Sequence, residues 1–575
     1  MEITKAIDRI SELPESILHN VMSFLTYKQV VQASVLCKTW LKAWLTYPVF
    51  EFEFEGKFYW LFDRRQNQKE FLETTLRHRE KLKDKYMNKF TLDMEFYHLF
   101  DDPEFATIVE RWIYHAVECN VKEFKLENED SDMSWYFLPQ IIYSAKSINM
   151  LELINCGLGI PKCKVELDFL RKLYLSDVYA DNEVLQDVIA GCPMIEDLSL
   201  CRCRGIKNLE LFNLAKLRVI KLWRNSELVR VSIEELDDVH SIVICPDQDN
   251  NIFCDIVINS CKSLKCLELS RTFIEDEWLR ILITELPQLE YLRIEDCKLN
   301  SIRISSSSLK TLVIDRCKKV TAIEIETPNL GKITFVGRNV RNFSFNALAL
   351  SEANIQIDNY NKVYDDHWYV QYIQLLEKFG HSKVLNIRSS TDQDVIIPGA
   401  VRQIRASWLF GVKHVNFISR PYMGSAISKI LDGLLCIAPH AETISIELDN
   451  TNKSYFKFSY KNKIDCCARE TATCYKSFPV SCWRHCIKEV EIENTKILLE
   501  KGFSIACCSN EGNIVERYVL RDEEIMEKIS NLKGLSVRKE NLLVAKAWLT
   551  LDMLSNIFPC HRTSEERPAP ADSQH

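Results

Sequence analysis

Six side chains that could bind a metal ion lie close together in the C-terminal part of the sequence. Within twenty-one positions stand Cys466, Cys467, Cys474, Cys482, His485 and Cys486. Zinc takes four such thiolate or imidazole ligands in a structural site. However, two well-spaced Cys pairs are missing, and the adjacent Cys466 and Cys467 make a poor chelate. Ordinary packing is therefore predicted for this cluster, with no metal.

A basic run could contact nucleic acid or an acidic lipid surface. Its members are Arg77, His78, Arg79, Lys81, Lys83, Lys85 and Lys89. Glu80 and Asp84 dilute this charge, and Phe71, Leu72 and Leu76 precede it at helical spacing. That pattern is typical of a solvated helix with one buried face. Because the formal net charge of the chain is −8, no nucleic-acid partner is predicted.

Known catalytic motifs are missing from the sequence. It has no phosphate-binding glycine loop, nucleophile elbow or helical His-Glu zinc motif, and its 15 glycines are spread over 575 residues. The N-terminus lacks a basic stretch followed by an apolar run, and no segment reaches the roughly 18 apolar residues that span a membrane. We expect a non-enzymatic protein without a cofactor, not bound to a membrane. Its 22 cysteines indicate reduced, buried thiols in the cytoplasm or nucleus.

The first fifty residues show apolar positions at helical spacing. One series is Ile17, Leu18, Val21, Met22 and Leu25, and the next is Val30, Ala33, Cys37, Trp40, Leu41 and Trp44. Both predict short helices, the first beginning after Leu13-Pro14. About fifty residues bury too little apolar surface to be robust alone. This helical face therefore either meets a partner or caps a larger domain.

Beyond residue 115 the pattern L-x-x-L-x-L recurs, with other apolar residues replacing some leucines. Its first positions are Val121, Ile148, Leu170, Ile195, Leu217, Val239, Leu264, Leu289, Leu309 and Leu330, which are 20 to 27 residues apart. This period is typical of leucine-rich repeats. Each copy predicts a short parallel strand whose aliphatic residues, such as Leu267 and Leu292, point into the core. Segments 183–190 and 276–285 would form helical backs.

Cysteines stand three residues after the last aliphatic position in four of the repeats. These are Cys156, Cys203, Cys297 and Cys317. Leucine-rich repeats usually carry Asn or Cys there. We therefore predict that these four side chains meet the turning backbone.

The residues between the aliphatic ones would project from the opposite face of the strands, where a target could bind. The residues predicted to do so are Tyr174, Lys221, Trp223, Glu268, Tyr291, Arg293 and Glu295. Aromatic and Arg side chains are the usual interface anchors. Trp223 and Tyr291, with Arg293 nearby, are thus the preferred candidates. The alternative is that Trp223 packs against its neighbours.

Leu13-Pro14-Glu15-Ser16-Ile17-Leu18, Met22-Ser23-Phe24-Leu25 and Ala33 to Trp40 resemble the F-box motif. In F-box proteins this module binds a SKP1-like adaptor, which joins a cullin-RING ubiquitin ligase, while the rest of the chain selects the substrate. The resemblance implies adaptor contacts by Leu13, Pro14, Ile17, Leu18, Met22, Leu25, Val30 and Trp40.

Later segments resemble plant F-box proteins with leucine-rich repeats. Trp112 to Ala116, Asn120 to Leu126 and Leu138-Pro139 resemble the entry to their repeats, and Ser481 to Ile492 resembles the start of their FBD region. The chain is thus identified as a member of the F-box/FBD/LRR type. The implied fold is α/β: a three-helix F-box, then a curved leucine-rich-repeat solenoid with a parallel sheet. The expected divisions are an F-box at 1–50, a helical connector at 51–115, repeats at 116–395, irregular repeats at 396–480, an FBD-like region at 481–560 and a disordered tail at 561–575.

The resemblance implies the substrate-recognition subunit of an SCF-type ubiquitin ligase. Two alternatives stay open. One is a small-molecule receptor like the plant auxin and jasmonate receptors, which basic residues converging at the top of the solenoid would favour. The other is an interaction scaffold without ligase coupling, which adaptor binding would distinguish from the first.

The cysteine cluster gives a testable prediction. Purified, tag-free protein is expected to contain no stoichiometric zinc, because residues 466–486 lack good chelate spacing. Elemental analysis measures this directly. Stoichiometric zinc, together with loss of structure on chelation, would contradict the prediction.

Overall fold

The computed structural model describes residues 12–53, 62–82, 86–94, 103–128, 135–247, 253–338, 342–357, 364–404, 409, 411–419, 427–448, 454–460, 487–494 and 516–521. Two compact units divide the chain. The first comprises Met1–Leu289 with Asp296–Lys298, and the second Glu290–Glu295 with Leu299–His575. No helix among the described residues is both long and apolar enough to span a membrane.

Three short helices open the first unit: α1 (Glu15–Met22), α2 (Tyr27–Ser34) and α3 (Lys38–Thr46). Pro14 stands just before α1, and its carbonyl accepts the Leu18 N–H at 3.0 Å. Thr26 and Gln29 form a capping box at the start of α2, satisfying two backbone donors. The three helices share one apolar core, formed by Leu18, Met22, Val30, Trp40, Ala43, Trp44 and Tyr47.

A buried arginine joins these helices to the rest of the unit. Helix α4 (Phe62–Glu80) carries Arg79, whose Nη2 donates to the carbonyl oxygens of Trp44 at 3.2 Å and Tyr47 at 3.1 Å. Both carbonyls stand at the C-terminal end of α3, and the Trp44 oxygen also accepts the Tyr47 N–H at 3.1 Å. The guanidinium carbon lies 5.5 Å from the centroid of the Phe50 ring. Burial lowers the pKa of Arg79.

The predicted connector contributes strands as well as helices. Strand β1 (Val49–Glu53) pairs in parallel with β2 (Lys89–Met94), and β2 pairs with β3 (Glu123–Asn128). Helix α5 (Pro103–Glu118) covers them, because its Trp112 stacks on Phe50 of β1 with ring centroids 3.9 Å apart. The parallel sheet of this unit therefore begins at Val49, before the first predicted repeat.

The sheet then grows by one parallel strand for each repeat. Its further strands are β5 (Met150–Ile154), β7 (Lys172–Ser176), β8 (Asp197–Cys201), β10 (Val219–Trp223), β12 (Ser241–Cys245) and β14 (Cys266–Ser270). Aliphatic residues pair with aliphatic residues in register, as Ile220 does with Leu198 and Ile242. Leu267 is fully buried, and in the second unit Leu292 is too. The predicted register and the α/β fold of leucine-rich-repeat type are confirmed.

The backs of these repeats are of two kinds. Helices α6 (Asn182–Ala190) and α7 (Asp276–Glu285) form where helical backs are predicted. Elsewhere short strands form the back: β9 (Asn208–Leu211), β11 (Arg230–Glu234), β13 (Cys254–Asn259) and β15 (Thr272–Phe273) make a second parallel sheet. Strands β4 (Tyr136–Phe137) and β6 (Cys156–Gly157) pair in the same manner. The helical periodicity of segments 183–190 and 276–285 thus identified only part of the backs.

The repeat cysteines occupy the turns at which they are predicted. Cys203 Sγ lies 3.5 Å from the Leu175 carbonyl oxygen, and Cys156 Sγ lies 3.2 Å from that of Ile154. Asn225, which sequence reasoning missed, fills the equivalent place one repeat after Cys203. Its Oδ1 accepts the Cys203 N–H at 2.8 Å, and its Nδ2 donates to the Leu200 carbonyl at 3.0 Å. These side chains satisfy backbone groups where each strand ends.

The second unit repeats the plan with a different ending. Its main sheet contains β16 (Tyr291–Glu295), β18 (Thr311–Asp315), β20 (Lys332–Gly337), β22 (Glu352–Ile357), β23 (Val384–Ser389), β24 (His414–Ser419) and β25 (Thr443–Leu448), all parallel. Strands β17 (Ser301–Ser305), β19 (Ala322–Glu326) and β21 (Asn342–Asn346) form its back, followed by helices α8 (Asp366–Glu377), α9 (Gly399–Ile404) and α10 (Ile427–Ile437). Strands β26 (Ser454–Tyr460), β27 (Ile487–Asn494) and β28 (Glu516–Arg521) then add antiparallel. The predicted strand fragments at 412–417 and 441–446 overlap β24 and β25, each beginning two residues before the strand, and the fragment at 487–492 lies within β27.

Leu267→Ala tests the stacked core. The fully buried Leu267 side chain should leave a cavity, lowering the free energy of unfolding by about 2 to 5 kcal/mol. Urea denaturation measures the change, and the exposed Lys265→Ala serves as the control. An unfolding free energy equal to that of the control would contradict the register.

Arg79→Met tests the junction between the helices and the sheet. The substitution removes the Arg79 donor from the Tyr47 carbonyl and from the Trp44 carbonyl, which keeps the Tyr47 N–H, at a cost of about 1 to 3 kcal/mol. We expect lower protection from hydrogen exchange in α3. The matched control is Arg77→Met on the same helix, since Arg77 is exposed and forms an i,i+4 ion pair with Glu73. Equal protection in the two variants would contradict a joining role for Arg79.

Candidate functional site

Burial divides the eight residues predicted to bind the adaptor. Leu18, Met22, Val30 and Trp40 are buried in the core of the three helices. Their side chains are therefore engaged in holding α1, α2 and α3 together. Pro14, Ile17 and Leu25 are exposed, and Leu13 is half-buried. These four residues are the part of the predicted set that a partner can reach.

Further apolar side chains are exposed at the ends of the same helices. Phe24 is 84% exposed, Val35 83% and Leu36 70%, and Leu41 of α3 is also exposed. None of the four is among the residues predicted to bind the adaptor, because Phe24, Val35 and Leu36 fall in the turns after α1 and α2, and Leu41 belongs to the apolar series that predicts a helical face. We call the exposed set the F-box apolar surface: Pro14, Ile17, Phe24, Leu25, Val35, Leu36 and Leu41. A module this small that exposes so many large apolar side chains offers a partner-binding surface.

Three of the predicted target-binding residues line one groove on the open face of the first unit. Tyr174 on β7 is in register with Ser199 on β8 and Lys221 on β10, while Cys201 is in register with Trp223. Tyr174 is 37% exposed and Trp223 is 43% exposed. The groove has a volume of about 430 Å³. Its floor consists of the small side chains of β8 between the two aromatic ones, and we call it the Tyr174–Trp223 groove.

The charged side chains around this groove differ in whether they form ion pairs with one another. Arg202 forms a two-pronged ion pair with Asp177, at 2.7 and 2.6 Å. Glu152 pairs with Lys125 at 3.4 Å, and Asp197 accepts the Ser199 hydroxyl at 3.0 Å.

Lys172 and Lys221 are exposed and line the same groove, and the exposed Arg224 directly follows Trp223 in the chain. None of the three forms an ion pair with a residue in the described part of the chain. The neighbours of Lys221 in register, Ser199 and Val243, carry no charge. The β10 side of the groove therefore presents the Lys221 ammonium without a charged neighbour in register.

The predicted residues Arg293 and Glu295 belong to an ionic cluster in the second unit. Arg293 Nη2 lies 2.7 Å from Glu295 Oε2, and Arg316 pairs with Glu295 and, at 3.1 Å, with Asp315. Burial of Glu295 opposes ionisation, but Arg293 and Arg316 outweigh it and lower the pKa of this carboxyl. Burial and the nearby Glu295 raise the pKa of Asp315. Since Glu295 is buried and its charge is balanced internally, this cluster presents less charge to a partner than the sequence indicates.

A second groove, of about 480 Å³, crosses the open face of the second unit. A row of side-chain amides forms its middle. Asn416 donates to Asn386 at 2.6 Å, Asn386 to Asn354 at 2.6 Å, and Asn354 to Thr334 at 3.2 Å. Sequence reasoning missed this row, although each Asn stands between the aliphatic positions of its strand. These polar groups bond mainly to one another, so the row ties the strands together.

The remaining predicted positions are not part of either groove's lining. Glu268 lies half-buried on β14, and Tyr291 lies half-buried on β16 in the second unit. Over the described ranges, no group of three or more His, Cys, Asp or Glu side chains could hold a metal ion. The cluster at 466–486 lies outside those ranges. Burial raises the pKa of the Cys203 thiol to about 12 and that of Cys261 to about 11, which keeps both protonated at neutral pH.

Family models match three parts of the chain. The F-box domain model matches residues 10–52. The model for the leucine-rich repeats of the FBD-associated F-box protein At5g56370 matches residues 109–261, and that for the leucine-rich-repeat domain of At1g61320/AtMIF1 matches residues 248–395. Helices α1 to α3 thus fall within the F-box match, and both units contribute strands to the repeats.

Curated proteins of Arabidopsis thaliana are similar to parts of the chain. The F-box/FBD/LRR-repeat protein At2g26030 is 30% identical over 37% of this chain and 46% of its own length. The putative F-box/FBD/LRR-repeat protein At5g44950 is 31% identical over 34% of this chain and 42% of its own length. F-box/LRR-repeat protein 25 is 28% identical over 39% of this chain and 79% of its own length. The matches therefore span less than half of the first two relatives. In its three N-terminal helices and its stacked parallel strands, the chain is thus similar to the Arabidopsis proteins named F-box/FBD/LRR-repeat proteins.

Proposed function

We propose that this chain is the substrate-recognition subunit of an SCF-type ubiquitin ligase. The F-box apolar surface would dock on a SKP1-like adaptor and, through it, on a cullin, while the repeats would bind the target protein. The observation that carries the proposal is the exposure of Phe24, Val35 and Leu36, at 70 to 84%, in a module with the F-box pattern. Docking on the adaptor would remove this apolar area from water.

The chain itself would perform no chemistry in this role. It would raise the effective concentration of a target beside a ubiquitin-charged enzyme. That task requires the adaptor-binding helices to keep a defined position relative to the target-binding strands. Within the first unit, two contacts support such a defined position: the bonds from Arg79 to the end of α3 and the stacking of Phe50 on Trp112. We place the function in the cytoplasm or nucleus.

The small-molecule receptor receives less support than protein recognition. The small-molecule hypothesis requires basic residues that converge on one site at the top of the repeats. In the first unit, Arg202, Arg224 and Arg271 each follow a strand with positive φ, but Arg202 is held by Asp177 and Arg271 lies 4.0 Å from Asp296. In the second unit, Arg316 is held by Glu295 and Asp315. These pairings favour a broad mixed surface over a single anion pocket.

The double variant Val35→Ala, Leu36→Ala tests the adaptor surface. We expect its affinity for a purified SKP1-like adaptor to fall about thirtyfold, because interface anchors contribute roughly 2 kcal/mol or more. Isothermal titration calorimetry measures this, alongside Leu13→Ala, Pro14→Ala. The control Ile160→Ala shortens a comparably exposed apolar side chain outside the F-box. Wild-type affinity in both double variants would contradict the proposal.

Affinity capture from plant cells separates the ligase subunit from a scaffold. Targets of a ligase should accumulate in the captured complex when the proteasome is inhibited, and this gain should disappear in the Val35→Ala, Leu36→Ala variant. Partners whose abundance changes with neither treatment would support the scaffold instead.

A further inference from the structure

We propose that the Tyr174–Trp223 groove binds an extended acidic segment of the target, one in which a carboxylate lies within about two residues of a bulky apolar side chain. This inference rests on the proposed function only in taking the ligand to be a target protein. The groove's own chemistry defines the segment.

The groove has room for one apolar side chain between its two aromatic rings. Tyr174 on β7 and Trp223 on β10 are separated by β8, so two strand spacings, about 10 Å, lie between them across the sheet. The facing residues of β8 are the small Ser199 and Cys201. The gap above them accepts an aliphatic or aromatic side chain between the two rings. A volume of about 430 Å³ lies at the small end of ligand pockets, which suits a short segment.

Exposure shows that the two aromatic side chains are available. Both Tyr174 and Trp223 leave more than a third of their surface in water, although each stands on the sheet face. Tyr and Trp bury large areas at low conformational cost and are the commonest interface anchors. Trp223 keeps 43% of its surface exposed, so whatever packing it makes with its neighbours leaves part of the ring within reach of a partner.

The charge of the β10 side selects an acidic segment. Lys221 precedes Trp223 by two residues on the same face, about 7 Å along the strand, and Arg224 follows it with positive φ. Lys221 has only uncharged neighbours in register, Ser199 and Val243. A carboxylate one or two residues from the apolar anchor can therefore reach Lys221, which lines the groove. Two carboxylates also line the groove: Glu152 pairs with Lys125, and Asp197, two residues before Ser199 on β8, accepts the Ser199 hydroxyl.

Comparison with other polar clusters on the open strand faces supports this choice. The charges of Arg293 and Arg316 in the second unit are balanced by Glu295 and Asp315. The amides of Asn354, Asn386 and Asn416 bond along their own row. The Tyr174–Trp223 groove combines exposed aromatic side chains with cations that no described carboxylate pairs, so it is suited to an acidic partner.

Selection from a displayed library of random ten-residue peptides on the full-length chain tests the proposal. Peptides with Asp or Glu within two residues of Leu, Phe or Trp should be enriched. Their affinity, measured by fluorescence polarisation with labelled synthetic copies, should fall about tenfold or more in Trp223→Ala and in Tyr174→Ala. In Lys221→Glu the enriched peptides should lose their acidic residue, a change of preference that a merely structural role would not produce.

Matched controls keep the result interpretable. Phe169→Ala removes an exposed aromatic side chain and Lys216→Glu reverses an exposed charge, both outside the groove lining, and neither should change the affinity. Enrichment of peptides without the acidic and apolar pair, equal binding by Trp223→Ala and wild type, or no enrichment at all would overturn the proposal. Binding by phosphorylated synthetic copies alone, and not by the unmodified peptides, would show that the groove recognises phosphate and not a carboxylate, which would also overturn the proposal. Adaptor affinity is measured separately, so failure here would leave the proposed ligase role standing.

Discussion

Stacking of parallel strands is the constraint on which the remaining structure depends. A single repeat exposes its aliphatic residues on the side that the next strand must cover, so it is stable only between neighbours. In the first unit this produces aliphatic residues in register from Leu173 through Leu198 and Ile220 to Ile242. Because side chains alternate along a strand, fixing these residues inside fixes the intervening ones on the open face. The set of side chains on the open face is therefore a consequence of the core.

Each strand must also end in a tight turn without leaving buried backbone groups unsatisfied. Residues such as Asn155, Asp177 and Arg202 adopt positive φ immediately after their strands. Inside the turn, Cys203 and Asn225 meet the backbone groups that the sheet cannot pair. The residues with positive φ after neighbouring strands also stand next to one another, and Arg202 forms an ion pair with Asp177 there. The backbone bonds of the turns and the ion pairs beside them thus arise from one local conformation.

The two open faces use polar residues in different ways. In the second unit, amide and ionic side chains bond across neighbouring strands, which reinforces the sheet and balances its charge. In the first unit, small residues on β8 separate the larger side chains of β7 and β10, leaving Tyr174, Trp223 and Lys221 accessible. Exposed aromatic and cationic groups can contribute favourable free energy when a partner binds. Groups that already bond within the sheet contribute less, because binding must replace those bonds.

The sequence by itself determined the N-terminal helices, the strand register and the turn positions of the repeat cysteines. Helical spacing and the L-x-x-L-x-L pattern report directly on which side chains are buried, and local periodicity is preserved in the fold. Only the tertiary structure decided which apolar F-box residues are exposed, because Leu18 and Ile17 share a helix while the packing of α1 on α3 buries one and leaves the other in water. It also decided that Glu295 is balanced by Arg293 and Arg316 whereas Lys221 has no charged neighbour in register. Pairing between strands brings together residues more than twenty positions apart, and no pattern within one repeat specifies what the adjoining repeat places beside it.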